Sequence, residues 1–266
     1  MHIHFLDPYR ERQSLIHALD PRVKFIFTLA FILTMALLPI GAWPVYVLML
    51  TVSLSITVLS ELGLKYVLKR SLLAIPFVLA AVPLLFTVKG PVLVTLPIGS
   101  PSLTITTTGV ERLLSIMFKS WVSLQVAIVF AASTPFPDML LAMRAVKIPR
   151  LIVSLFGLMW RYMFVMVDEA IRLLRARASR SGSIAGTKPG GSIAWRAKVT
   201  GGMAGNLFIR SLDRGDRVYA AMTARGYDGE IRSFPLPPLT ATGWITLLGG
   251  LALLIALLLF ALLFWA

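Results

Sequence analysis

Ile148-Pro-Arg-Leu-Ile-Val-Ser-Leu-Phe-Gly-Leu-Met-Trp-Arg-Tyr-Met-Phe-Val-Met-Val167 is apolar enough to be taken for a membrane span, yet it sits just before the most basic part of the chain. Arg161 within it would cost roughly 2.5–3.5 kcal/mol at a bilayer centre. Lys147 and Arg150 before it and Asp168 and Glu169 after it leave a marginal length. If the segment crossed, the twelve basic residues from Arg172 to Arg232 would face outward, against the rule that Lys and Arg stay on the cytoplasmic side. It is therefore expected to lie in the inner interface, with Trp160 and Tyr162 at headgroup level. The chain then counts five spans, with its N-terminus inside and its C-terminus outside.

Composition sets the class around that stretch. The 266 residues are 57% hydrophobic and 14% charged, with mean hydropathy +0.82, which belongs to a polytopic membrane protein. Zero cysteines exclude disulfides and thiolate metal sites. The net charge of +14 is assigned to cytoplasmic loops rather than to nucleic-acid binding. Asp7, Arg10, Glu11, Arg12 and Asp20 in the first twenty residues leave no room for a signal-peptide core, so none is expected.

The expected class is an all-α polytopic membrane protein of about five transmembrane helices plus a cytoplasmic helical domain. Residues 1–133 hold a basic N-terminus and four spans: Phe25 to Leu38, Val45 to Leu59, Leu72 to Val88 and Val110 to Ser133. Glu61 to Arg70 is an amphipathic, basic connector suited to the inner interface, and Lys89 to Gly109 reads as a small outer hairpin. Residues 134–240 carry sixteen Lys and Arg against seven acids. There Pro137 to Val146 reads as an amphipathic helix and Ser181 to Gly205 as a Gly-rich loop. Residues 241–266 are nearly pure Leu, Ala, Ile and Phe and form the last span.

Within 134–240, Ser211-Leu-Asp-Arg-Gly-Asp-Arg-Val-Tyr-Ala-Ala-Met-Thr-Ala-Arg-Gly-Tyr-Asp-Gly229 is the stretch hardest to explain as ordinary membrane protein. Phe208, Leu212, Gly215, Tyr219 and Met222 recur at helical spacing, with Gly215 leaving room for a close crossing. Asp213 and Arg217, one turn apart, are expected to pair on the solvent side. Gly226 suits a left-handed C-terminal cap, which holds Arg225 at the tip of the helix. A cation there also complements the helix dipole by roughly 0.3–1 kcal/mol. The pattern occurs twice, however: Asp168 to Gly182 is another helical run ending in Ser179-Arg180-Ser181 and then Gly182. Two such ends point to two equivalent sockets on a partner.

Arg210 to Met222, followed by Ala224-Arg225-Gly226-Tyr227, resembles the signature of the transmembrane T component of energy-coupling-factor importers, in the branch of the cobalt-importer Q subunit, CbiQ. The resemblance covers roughly residues 5 to 266. It implies two coupling helices, each ending in an X-Arg-X motif that docks into a groove of one ATPase subunit. Those motifs fall on Ala224-Arg225-Gly226 and on Ser179-Arg180-Ser181, with Ala176-Arg177-Ala178 as a competing register for the first. Asp213, Gly215, Arg217 and Tyr219 would support the second coupling helix. The partners implied are two ATP-binding subunits, a substrate-binding membrane component (for cobalt, an M-type subunit) and a small auxiliary membrane subunit. The complex would serve cobalt uptake for cobalamin biosynthesis at the cell inner membrane, with the N-terminus and the coupling domain cytoplasmic.

Catalytic chemistry is not expected. Gly182-Ser-Ile-Ala-Gly-Thr-Lys188-Pro189 has the wrong spacing for a phosphate loop, and Pro189 stands where a hydroxyl residue is needed. No cofactor is expected, and the chain reads as a non-catalytic subunit. His2 and His4 make an incomplete ligand set for a metal. Glu111, Arg112 and Lys119 are the notable charges in the fourth span and read as structural. Two rivals stay open: a secondary transporter with its own substrate site, and a membrane enzyme acting on anionic lipid.

Overall fold

A computed structural model describes residues 8–96, 103–180, 192–228 and 238–265. It is an all-α polytopic membrane protein, as expected from composition, and divides into two compact units, Met1–Val146 with Leu236–Ala266, and Lys147–Pro235. The helical runs long and apolar enough to cross a membrane are Leu64–Thr87, Thr107–Ser133, Arg150–Arg180 and Ala241–Trp265, with Trp43–Leu59 a shorter apolar helix.

The first unit opens with the four-residue helix α1 (Leu15–Ala18) and then α2 (Pro21–Leu37), which starts four residues before the expected span. Asp20 caps α2 by accepting from the Arg22 amide, and Pro21 sits in the first turn, where its missing N–H costs nothing. His17 in α1 is half-buried. Its Nε2 contacts the Arg10 carbonyl at 3.0 Å, and burial lowers its pKa below the usual value. Helix α3 (Trp43–Leu59) follows. The expected connector and third span form one path broken by prolines: α4 (Leu64–Ser71), a 3-10 turn at Leu72–Ala74, α5 (Ile75–Ala81) and α6 (Leu84–Thr87). The small hairpin is present as β1 (Val92–Leu96) paired antiparallel with β2 (Leu103–Thr106).

Helix α7 (Thr107–Ser133) is the pillar of this unit. Val122 and Val126 pack with Phe31, Met35, Tyr46, Met49 and Leu254 into one core. In a bilayer such cores cohere through close packing and interhelical hydrogen bonds, since lipid is as apolar as Leu. Three bonds from α7 do this here. Gln125 accepts from Ser53 Oγ at 3.1 Å, Trp121 Nε1 donates to Ser71 Oγ at 2.8 Å, and Lys119 Nζ donates to the carbonyl of Leu38, the C-cap of α2. Lys119 thus serves a structural clasp at a helix end whose dipole favours a cation, while Glu111 and Arg112 are exposed. Helix α8 (Phe136–Ala145), read from sequence with the basic region, packs against α2. Helix α11 (Ala241–Trp265) also lies on α2, where Gly250 lets Phe27 approach within 2.9 Å of the point a Cβ would occupy.

The second unit consists of two long helices. Helix α9 (Arg150–Arg180) runs 31 residues without interruption, so the expected interfacial helix and the first arginine-tipped helix are one element. Polarity changes near Asp168, but the residues beyond it are mostly Ala, Leu, Arg and Glu, strong helix formers, and nothing stops the helix there. Helix α10 (Ile193–Ala224) runs 32 residues from a Ser192 cap that accepts from the Trp195 amide. This corrects the expected loop for residues 193–205, while residues 181–191 lie outside the described residues. Gly201, Gly202 and Gly205 are helical, each with open space where a Cβ would stand, so they make no close contact with another helix among the described residues.

Candidate functional site

The two long helices form an antiparallel hairpin. Glu169 on α9 pairs with Arg210 on α10 and lies 3.9 Å from Arg172, and eight residues further along α9, Arg177 Nη1 donates to Thr200 Oγ1 at 3.3 Å. Sequence reasoning passed over the Glu169–Arg210 pair. Its signal was available: Glu169 is followed by eight basic residues and no acid until Asp213.

Arg225 is the C-cap of α10, and Gly226 follows with φ 81°. The Tyr227 amide donates to the Met222 carbonyl and the Gly226 amide to the Thr223 carbonyl, both at 3.0 Å. That double bond pattern, with Tyr227 and Met222 lining one groove, is the Schellman arrangement, and it fixes the end of the helix. Ala224, Arg225 and Gly226 are all exposed, and among the described residues the Arg225 guanidinium has no hydrogen-bond or ion-pair partner. Arg180 is the last residue of α9 and is also exposed, next to Ser179, whose hydroxyl donates back to the Ala176 carbonyl. Arg177, the alternative register, is turned toward α10 by its bond to Thr200. Ser181, His2 and His4 lie outside the described residues. The pairing of residues 169 with 210 and 177 with 200 sets Arg180 and Arg225 at opposite ends of the hairpin, about 40 Å apart at 1.5 Å per residue.

The supporting residues sit differently from expectation. No ion pair joins Asp213 to Arg217 among the described residues, and both are exposed. Gly215 has open space beyond its Cα and is not crossed closely by any described helix. It borders a groove of about 370 Å³ lined by Tyr162, Met166, Val218, Met222 and Tyr227. The side chains turned toward α9 are Met203, Leu207, Ser211, Arg214, Val218 and Met222, the less exposed face of α10. Of the stripe read from sequence, Gly215, Tyr219 and Met222 line that groove, while Phe208 is 63% and Leu212 53% exposed. The helical period was legible; apolar residues recur at that period on more than one face of α10, and the stripe read from sequence meets α9 only through its C-terminal members. Among the described residues no group of three or more His, Asp or Glu is placed to hold a metal ion.

The family model of the cobalt transport protein CbiQ matches residues 12–235. An energy-coupling factor transporter transmembrane protein EcfT from Ruminiclostridium cellulolyticum is 28% identical over 83% of the chain and 82% of its own length. A cobalt transport protein CbiQ from Salmonella typhimurium is 26% identical over 59% of the chain and 70% of its own length. A putative fused cobalt transport protein CbiMQ from Methanocorpusculum labreanum is 30% identical over 60% of the chain, which spans 26% of that longer protein.

Proposed function

This chain belongs to the CbiQ family of cobalt transport proteins, transmembrane components of energy-coupling-factor transporters, and on that premise we propose that its helical hairpin couples a pair of ATPase subunits to a separate substrate-binding membrane subunit. Ala224-Arg225-Gly226 and Ser179-Arg180-Ser181 are the two pins of this reading. The observation that carries it is the presentation of Arg225: a capped helix end fixes the backbone, while the guanidinium stays exposed and unpartnered among the described residues. A rigid fork of donors held in that way suits a groove of carboxylates or carbonyls. The length of the hairpin supports two separate sockets, because ends about 40 Å apart cannot share one groove. Closure of an ATPase dimer would move the sockets, and the hairpin would carry that motion to the substrate subunit.

In this reading the hairpin is cytoplasmic at the inner membrane and α9 runs along the inner interface, since crossing would carry the basic residues after Arg172 outward. ATP hydrolysis belongs to the partner subunits. Cobalt is the proposed cargo, captured by an M-type subunit, and the cobalt transport proteins among the relatives support that choice. The test is purification of the chain in detergent from cells expressing its neighbouring genes, together with uptake of cobalt and nickel by those cells. A co-purifying nucleotide-binding subunit and ATP-dependent cobalt uptake are expected. Purification without any ATPase, with uptake intact, contradicts the coupling role; uptake of another substrate in the presence of the ATPase contradicts only the cargo.

A further inference from the structure

We propose that Arg10 and Arg70, gathered on the ring of Tyr66, form a seat for the phosphate of an anionic phospholipid at the end of the bundle where α2 begins and α7 ends. The Arg10 guanidinium lies over that ring, 3.8 Å from its centroid, and the Arg70 guanidinium stands 5.8 Å from it. Two like charges gathered on one ring repel each other unless an anion joins them. The chain supplies none: neither arginine makes an ion pair among the described residues, and no acid follows Glu61 until Glu111. Both arginines are exposed and keep donors free. Stacking uses the flat face of the Arg10 guanidinium and leaves its in-plane N–H groups, while Arg70 spends Nη1 on the Tyr66 hydroxyl at 2.8 Å.

Position decides which anion fits. Arg10 is held at the end of α7, where its amide donates to the Ala132 carbonyl at 2.9 Å. Helix α4 rises along α7 from that end until Ser71 meets Trp121, twelve residues or about 18 Å from Ser133. Tyr66 therefore sits at the headgroup level, where tyrosine is enriched, and Arg70 folds back one turn to reach it, as a snorkelling side chain does. Just beyond, Leu72, Leu73 and Ile75 are more than half exposed, so a lipid whose phosphate rests on the arginines finds an apolar surface for its chains. An acidic segment of a soluble protein answers only the charge. The seat rests on the membrane placement of this unit, not on ATPase docking.

The full chain, without ATPase subunits, is taken up in detergent with equal amounts of phosphatidylglycerol and phosphatidylcholine, and the lipid it retains is read by native mass spectrometry. Phosphatidylglycerol should be retained over phosphatidylcholine by at least roughly fivefold, the factor that one basic residue near an anionic headgroup supplies. Arg10→Gln with Arg70→Gln should remove that preference. Lys65→Gln with Lys69→Gln, which takes the same charge from α4 but leaves the ring and its arginines intact, should keep most of it. Arg112→Gln, at the other end of α7, should leave it unchanged. Should the double arginine variant fail to fold, Arg10→Gln alone, ahead of the first helix, should still lose at least half of the preference. Equal retention of the two lipids by the wild-type chain overturns the seat. So does an equal loss in the lysine pair, which would mark a diffuse basic surface. Displacement of the bound lipid by inorganic phosphate at constant ionic strength would mark a site for the free anion, and a preference that appears only when ATPase subunits are added would mark a protein contact; either result overturns it too.

Discussion

Phe31, Tyr46, Met49 and Val122 in the membrane bundle are shut away from every surface, whereas Phe208, Leu212 and Tyr219 in the hairpin stand more than half exposed. The bundle closes on itself through a packed core and through the bonds that Lys119, Trp121 and Gln125 make from α7. In the hairpin, α10 buries no residue at all and α9 only Val153 and Ser154. Exposure alone does not separate the regions, because α11 also shows Leu, Ile and Phe on its outside. The neighbours of those residues do. The outer face of α11 carries no charge and suits acyl chains, while on α10 the exposed apolar residues alternate with Asp213, Asp216 and Arg217. A surface that mixes large apolar and charged side chains fits a protein partner better than lipid or water. One region is finished when folded; the other keeps a mixed apolar and charged surface open.

The sharpest way to break this contrast is to truncate an aromatic ring in each region. Phe31→Ala should lower the stability of the detergent-solubilised chain by roughly 3–5 kcal/mol, while Phe208→Ala should stay within about 0.5 kcal/mol, both read from chemical or thermal unfolding. Comparable losses at the two positions would mean that the α10 stripe is covered within the chain. A smaller effect is expected at Gly226, whose φ of 81° is unfavourable for any residue with a Cβ. Gly226→Ala should cost about 1–2 kcal/mol locally, seen as faster hydrogen exchange in the last turn of α10 with the bundle unchanged. Unaltered exchange there would remove the argument that the cap fixes the Arg225 backbone. The smallest effect has the opposite sign. With nothing near its Cα, Gly215→Ala should stabilise α10 by about 0.5–1 kcal/mol. Destabilisation would restore the close helix crossing that the spacing suggested.

What could be read in advance follows the same division. The bundle was legible because each span is a local property: a run of apolar residues ending at Pro, Gly or charge places Trp43–Leu59, Thr107–Ser133 and Ala241–Trp265 within a few residues. The third span was less so, since Pro76 and Pro83 break its helix without ending its apolar run. In the hairpin, Gly226 marked the end of α10 correctly, because a left-handed cap is also local. The continuity of α9 was missed because its polarity changes at Asp168 while its helix propensity does not. The Gly-rich residues 201–205 looked like loop and are helix, which shows that the Ser192 cap and the contacts with α9 outweigh about 1 kcal/mol per glycine. Which face of α10 meets α9 is a tertiary fact. Neither the Asp213–Arg217 pairing nor the role given to Gly215 could be tested by spacing alone.

The central claim is that the arginine at each end of the hairpin is a pin for an ATPase subunit, and ATPase co-purification across an arginine series tests it most directly. A cation serving only the helix dipole would make Arg225→Lys nearly silent and Arg225→Ala worth at most about 1 kcal/mol. A docked guanidinium predicts a loss of about 2–5 kcal/mol of association for Arg225→Ala, an intermediate loss for Arg225→Lys, and a similar or smaller loss for Arg180→Ala. The double variant should fall far below either single one, because each contact raises the effective concentration for the other. Normal membrane insertion with ATPase recovery reduced in that order is the predicted result; wild-type recovery in Arg180→Ala with Arg225→Ala would contradict the account.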